Sequence, residues 1–309
     1  GGMALPPDVL AERARLKKES QRWRMLAFAV LFGGLIALAL LQDRGGFSPS
    51  MNYIARVDID GFIGDDVKRN EMLKELAEDK RVKAVIVRMD SPGGTALGGE
   101  ELHRRLRAIG KAKPTVAVMR TACTSACYMA AIGTDRLFAL DSSITGSIGV
   151  ILEMAEVTEL AKKLGIEPIT VKSGSLKASP SPFEKFSDTE REYIQGVVNS
   201  SFQMFLDLVY SRRPLSAEAK SLIQDGRIFT GREAKQLNLI DSLGGEEEAV
   251  AWLEKDKKLA HDLPIREVKP KTDKEGFFAG LEQSTKRLFF GAVTQRLDGL
   301  VSIWQPVVK

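Results

Sequence analysis

The sequence predicts an α/β protein, a mainly parallel sheet covered by helices and preceded by one N-terminal transmembrane helix. Three observations predict it. Between Tyr53 and Val171, short apolar runs of strand length alternate with stretches of helical period, the order that builds parallel sheets. Met25 to Leu41 carries no charge and is at the short end of what spans a bilayer. The composition, 44% hydrophobic and 28% charged over 309 residues, is that of a folded protein with a sizeable core.

Taken in order, Gly1-Gly2 ahead of Met3 reads as an expression remnant, and the segment 1–24 is polar and basic. Arg and Lys in excess before the apolar run at 25–41 place that segment in the cytoplasm and the rest of the chain beyond the inner membrane. The run exceeds the apolar region of a signal peptide, and Leu41-Gln42-Asp43-Arg44 offers no small-x-small cleavage site, so an uncleaved anchor is expected. A linker spans 42–52, with Gly45-Gly46-Phe47-Ser48-Pro49-Ser50 at its centre.

The folded domain is expected over 53–270. Strands are predicted near Tyr53–Ile59, Val82–Met89, Thr115–Met119, Arg136–Leu140 and Glu167–Val171. Helices are predicted at Val67–Asp79, from about Gly98 to Ile109, after Ser125, and near Val157–Leu164. Beyond the Pro-rich Ala178–Pro182, a capping-box-like Ser187-Asp188-Thr189-Glu190 opens a helix to Tyr210. Further helices fit Ser216–Gln224, Gly231–Leu237 and Glu246–Lys257, with a turn and short strand at Asp225–Gly231. The tail 271–309 reads as an amphipathic helix, suited to a neighbouring subunit or a membrane surface.

Bulk properties exclude several functions. A net charge of +4 is small for this length, and no basic stripe is interleaved with aromatics, so no nucleic-acid partner is expected. Only two histidines occur, His103 and His261, neither well placed for a Ser-His-Asp triad, and a histidine metal site is not expected. His103 reads as a surface residue of its helix. Cys123 and Cys127 are spaced neither as a metal nor as a CxxC redox motif and read as buried small hydrophobes, with a Cys127 thiol nucleophile as the alternative.

Chemistry gathers around Ser125, between the apolar run Val116–Met119 and a helix start. A serine there can be a plain N-cap or a nucleophile on a tight strand-to-helix corner. With histidine scarce, lysine is the candidate base, because desolvation favours its neutral amine. Lys177 is the first choice, after a Ser-Gly turn and before the Pro-rich stretch; Lys172 is the second. Asp90-Ser91-Pro92-Gly93-Gly94 follows a buried-strand pattern, and its glycines can bring an N–H close to a substrate carbonyl. Gly93, Gly94 and the amide of Ala126 thus form a candidate oxyanion hole; the alternative is an ordinary Pro-Gly-Gly turn.

From about 50 to 250 the chain resembles the signal peptide peptidase A family of membrane-anchored Ser-Lys peptidases (family S49, short single-repeat type), on the ClpP/crotonase fold. The resemblance rests on Asp90–Gly94, Ser125–Ala130, Ile144-Thr145-Gly146-Ser147-Ile148-Gly149-Val150 and Lys172–Lys177, in the family's order and spacing. It implies that Ser125 is the nucleophile, Lys177 the general base and Ser147 the residue that orients the lysine. It also implies apolar peptides, remnant signal peptides among them, as substrates, no cofactor or metal, and a homo-oligomeric ring on the lipid bilayer. Some members complete the dyad across a subunit boundary. The chain departs from the family at Ala126-Cys127, where Ser-Gly-Gly-Tyr is common, and a thiol at 127 could crowd the specificity pocket. An acyl-CoA enzyme on the same fold and a non-catalytic membrane scaffold are the competing readings.

Overall fold

The computed structural model describes residues 23–33, 51–271 and the backbone of 301–303. The chain divides into two units, 1–51 and 52–309. In the first, helix α1 covers residues 23–33 and leaves Trp23, Leu26, Phe28 and Phe32 exposed. Among the described residues, no helix is long and apolar enough to cross a membrane. The remainder of the expected span at 25–41, the linker to residue 50 and the tail, apart from Lys271 and 301–303, lie outside the described residues.

The second unit is the expected α/β domain. Strands β1 (Tyr53–Ile63), β2 (Val82–Thr95), β3 (Thr115–Thr124), β4 (Arg136–Ala139), β5 (Ile144–Gly146), β6 (Ile228–Thr230), β7 (Ser242–Leu243), β8 (Ile265–Glu267) and β9 (Val301–Ile303) form one sheet. Its main path runs β6-β5-β3-β2-β1-β8, with β4 also on β3, β7 on β4 and β9 on β2. All pairs are parallel except β5 with β6 and β2 with β9. Parallel pairing needs crossovers, which the alternating helices supply: α2 (Val67–Glu78), α3 (Ala96–Ala112) and α4 (Ala126–Ala131) follow β1, β2 and β3 in turn. Helices α5 (Thr158–Lys163), α6 (Asp188–Arg212), α7 (Ala217–Leu222), α8 (Gly231–Gln236) and α9 (Glu246–Asp256) complete the chain.

The central strands are buried on both faces, which is why they read as continuous apolar runs. On β2, Val85, Val87 and Met89 join Leu102, Leu106, Ile109, Met129 and Phe205 in the larger core, while Ala84 and Ile86 face Phe138, Ala249 and Leu253. Caps hold the helix starts: Asp66, Thr95 and Ser187 side chains accept N–H bonds at α2, α3 and α6, the last a full capping box. Such caps stabilise by about 1 kcal/mol each.

Three expectations are corrected. The strand at Glu167–Val171 does not form: Ile169 and Val171 are 91% and 95% exposed, and no strand pairs with them. β-Propensity without a partner edge makes no strand. His103 is not on the surface but 7% exposed, with Nδ1 2.9 Å from the Met129 carbonyl. Cys123 and Cys127 are not free thiols; they are joined in a disulfide.

Candidate active site

The strands that carry the motifs run past their apolar segments. β2 pairs with β3 in register from Val85↔Thr115 to Met89↔Met119, then shifts to Ser91↔Cys123. β3 itself forks, pairing with β4 over Val116–Met119 and with β5 over Ala122–Thr124. Side chains strap these ends together. The Ala122 N–H donates to Asp90 Oδ1 at 3.1 Å, Thr124 Oγ1 donates to the Pro92 carbonyl at 2.9 Å, and Thr145 Oγ1 donates to the Cys123 carbonyl at 2.7 Å.

Ser125 stands at the corner between β3 and α4 with φ 57° and ψ −120°, backbone space that side chains rarely adopt and that costs about 1–3 kcal/mol. Its N–H donates to the Gly146 carbonyl at 2.8 Å, and its carbonyl accepts the Met129 N–H at 2.9 Å. The residue is 1% exposed. Ser147 has φ 50°, and its N–H donates to the Arg227 carbonyl at 2.8 Å. Ser125 and Ser147 line one cavity of about 360 Å³ with Ile148, Val150, Val198 and Phe202. Gln195, Asn199, Gln224 and Asp225 line it as well, and a serine pair in such a cleft can present a hydroxyl to a bound carbonyl and hold a second hydrogen-bonding group beside it.

The glycine turn is set tightly. A Cβ on Gly94 would lie 1.9 Å from the Ile63 carbonyl oxygen, so no other residue fits there. Gly93 has φ 120°, and its N–H donates to Ser91 Oγ at 3.1 Å, so this amide is engaged within the turn instead of pointing outward as expected. Ala126 is fully buried, the first residue of α4. Gly99 of α3 meets it closely: a Cβ there would be 3.0 Å from Ala126 Cβ.

Lys177 is not brought to this cavity in the single chain. It is exposed, at the end of a turn whose N–H bond runs from Lys177 to the Gly174 carbonyl at 3.0 Å. Lys172 pairs with Glu184. The chain just after Lys177 is fastened to α6, where Ser179 Oγ donates to Glu190 Oε1 at 2.8 Å. The Ser187 backbone N–H, then the Ser187 and Ser179 hydroxyls, hold the Glu190 carboxyl down to about 2, so this fastening stays charged throughout the neutral range.

Sequence reasoning missed two features. One is the disulfide, which the five-residue segment from Cys123 to Cys127 signals only once the strand-to-helix corner brings its ends within 5.1 Å between Cα atoms. It removes a Cys127 thiol nucleophile and leaves no thiol to crowd the cleft, since both cysteines are fully buried. The other is β9, whose residues pair antiparallel with the glycine turn as Gly93↔Ile303, Gly94↔Ser302 and Thr95↔Val301. Among the described residues no group of histidine, cysteine or acidic side chains could hold a metal ion.

A buried serine on a strained corner of a mainly parallel sheet, beside a cleft of mixed polar and apolar lining, is an arrangement that fits a hydrolase. Residues 107–260 match Peptidase family S49. A protein of Enterococcus faecium that carries the name signal peptide peptidase SppA is 33% identical over 270 residues, 83% of this chain and 78% of that protein. A Methanocaldococcus jannaschii protein named as a protease is 37% identical over 183 residues, 59% of each chain. Among solved structures, a mutant of ClpP1 from Listeria monocytogenes superposes with a TM-score of 0.42 at 14% identity, covering 63% of this chain and 94% of that one. The chain belongs to peptidase family S49, and it is a protease.

Proposed function

We propose that the protein is a serine endopeptidase in which Ser125 attacks the scissile carbonyl and Lys177 of a neighbouring copy takes the hydroxyl proton. The observation that carries this reading is Ser125 itself, a buried serine held at φ 57° on the strand-to-helix corner and lining the same cavity as Ser147. In the acylation step the Ser125 oxygen bonds to the substrate carbon, the Lys177 amine accepts the proton and returns it to the leaving amine, and an acyl-enzyme remains. Water, deprotonated by the same amine, then attacks the acyl carbon, and the amine returns that proton to the Ser125 oxygen as the acid product leaves. Ser147 orients the amine, and the Ala126 N–H, with the Gly93-Gly94 turn, stabilises the oxyanion. The Gly93 amide is spent on Ser91 Oγ in this state, so its part would require that bond to open.

Two features support a base supplied by a second copy. Lys177 is exposed and does not line the Ser125 cavity of its own chain. The segment before it exposes Ile151, Leu152, Leu160, Leu164, Ile166, Ile169 and Val171, more apolar surface in one stretch than a solvated face carries. Packing that stretch on a neighbour would bury it and give the amine the dry surroundings a lysine base needs.

The cleft and the sheet support a substrate class. Ile148, Val150, Ile151, Val198 and Phe202 form an apolar part of the cleft, beside Gln195, Asn199, Gln224 and Asp225, and support apolar peptides, remnant signal peptides among them, as substrates. β1 occupies one edge of the β2 end (Phe62↔Gly93, Ile63↔Gly94), so β9 lies on the other, the edge that β3 holds up to Ser91↔Cys123 before leading into Ser125. An extended peptide adding to this edge by backbone pairing would be carried toward Ser125. The basic segment before the apolar run 25–41 supports a single-span anchor, with the catalytic domain on the far side of the membrane.

The test is hydrolysis of an apolar fluorogenic peptide by the purified full chain. Ser125→Ala and Lys177→Ala are each expected to lower kcat by about 10³-fold or more with the far-ultraviolet circular dichroism unchanged. Full activity in either variant would contradict the reading, as would turnover of an enoyl-CoA in place of the peptide.

A further inference from the structure

We propose that the Cys123–Cys127 disulfide is a positioning element for the Ser125 nucleophile, so that the protease is competent in its oxidised form and loses turnover when the bond is reduced. The proposal rests on the reading of Ser125 as the nucleophile.

The bond closes a ring of backbone whose middle residue is Ser125. Cys123 is in β3, paired across to Ser91 and Thr145, and Cys127 is in the first turn of α4. The sulfur bridge therefore ties the strand before the serine directly to the helix after it. Between them the serine holds φ 57° and ψ −120°, a conformation that releases energy if the corner relaxes. Backbone bonds flank it, Ser125 N–H to Gly146 and Met129 N–H to Ser125. A covalent link over so short a segment limits how far the corner can open in a way that exchangeable hydrogen bonds cannot.

The surroundings fit a positioning role. Both cysteines are fully buried among Tyr128, Met129, Ile148 and other residues of the larger core, so the bond rests on packed neighbours and cannot swing. The bond does not enter the cleft; the residues lining the cavity include Ser125 but neither cysteine. Its loss would thus act on where the hydroxyl points and not on where the peptide binds. The strand end is further fixed by Thr145 Oγ1 on the Cys123 carbonyl at 2.7 Å, so movement on reduction is directed into the corner and α4.

The reaction balances with an external dithiol. When a local opening of the corner exposes the buried bond, the dithiol gives two electrons and two protons to it, two thiols form at 123 and 127, and the dithiol closes to its own disulfide. Oxidation by a disulfide of the same class runs the step backward. An oxidising compartment, as proposed for the catalytic domain, would keep the bond closed.

The experiment uses the full chain and the fluorogenic peptide. Thiols are counted in denaturant before and after incubation with dithiothreitol, and kcat and KM are measured on the same samples. The expected result is no free thiol in the isolated protein and two after reduction, with kcat falling about tenfold or more in step with the thiols that appear, KM little changed, and activity returning on reoxidation. The double variant Cys123→Ala/Cys127→Ala should show the same low kcat, with its KM retained and no response to the dithiol. Two free thiols in the untreated protein, or full kcat in the reduced protein or in the double variant, would overturn the proposal. So would a variant that only melts earlier while its folded fraction turns over normally. Inactive Ser125→Ala beside a fully active double variant would retain the nucleophile and discard the positioning role, whereas active Ser125→Ala would discard the nucleophile itself.

Discussion

His103 can meet the Met129 carbonyl only as a donor, so its Nδ1 carries a proton. Burial pushes its pKa below the usual 6.5, and Arg212 and Arg107 add to that push against the opposing effect of the hydrogen bond that the ring donates to the Met129 carbonyl. The unfolded chain therefore binds the proton more readily than the folded one, and this contribution to stability is present above about pH 6.5 and is lost as the pH falls through the lower folded value. Melting temperatures measured from pH 7.5 to 5 should fall more steeply for the wild type than for His103→Gln, which keeps a donor toward Met129 but does not titrate; parallel curves would refute this. The sequence placed His103 correctly on its helix and wrongly on its face. The reason is α4: six small or apolar residues, Ala126 to Ala131, pack so closely on α3 that the buried face widens to include position 103. Ser125 was legible as a corner serine from its neighbours, but its positive φ was not, because the Gly146 and Met129 bonds and the disulfide that surround it form only in the folded corner.

At the scale of elements, β2 and β3 extend to Thr95 and Thr124, through stretches with no apolar signal. Their ends are held by Asp90, Thr124 and Thr145 side chains together with backbone pairing, and polar straps of this kind leave no hydrophobic period to read. The converse error is the stretch 167–171, where Ile and Val suggest a strand and no partner edge is present. β9 lies on the β2 edge that an extended substrate would use. A tethered strand competes at high effective concentration. Removing residues 301–309 is accordingly expected to lower KM for the peptide several-fold with kcat little changed, and an unchanged or raised KM would show that substrates pass elsewhere.

At the scale of the molecule, the parallel sheet was legible because both its faces are buried and the alternation of strands and helices is regular. The assembly of the proposed dyad was not, because its two members are parted in the single chain: Ser125 is buried in the cleft, and Lys177 is exposed beyond a run of exposed apolar residues. No periodicity within one chain reports what a second copy covers. If neighbouring copies bury that run, substitution of Ile169 and Val171 together by Asp should shift the assembled protein toward monomer in sedimentation and reduce kcat at least about tenfold, while the isolated fold persists. An assembly unaffected by these charges would place the contact elsewhere.

The most direct measurement mixes two inactive proteins. Ser125→Ala and Lys177→Ala chains are purified separately, dissociated, combined and reassembled, and cleavage of the apolar peptide is followed. Sites that join an intact Ser125 from one chain to an intact Lys177 from the other should restore a measurable fraction of wild-type turnover, in proportion to the two chains' mixing. Persistent inactivity in a mixed assembly whose composition has been verified would contradict a dyad shared between copies.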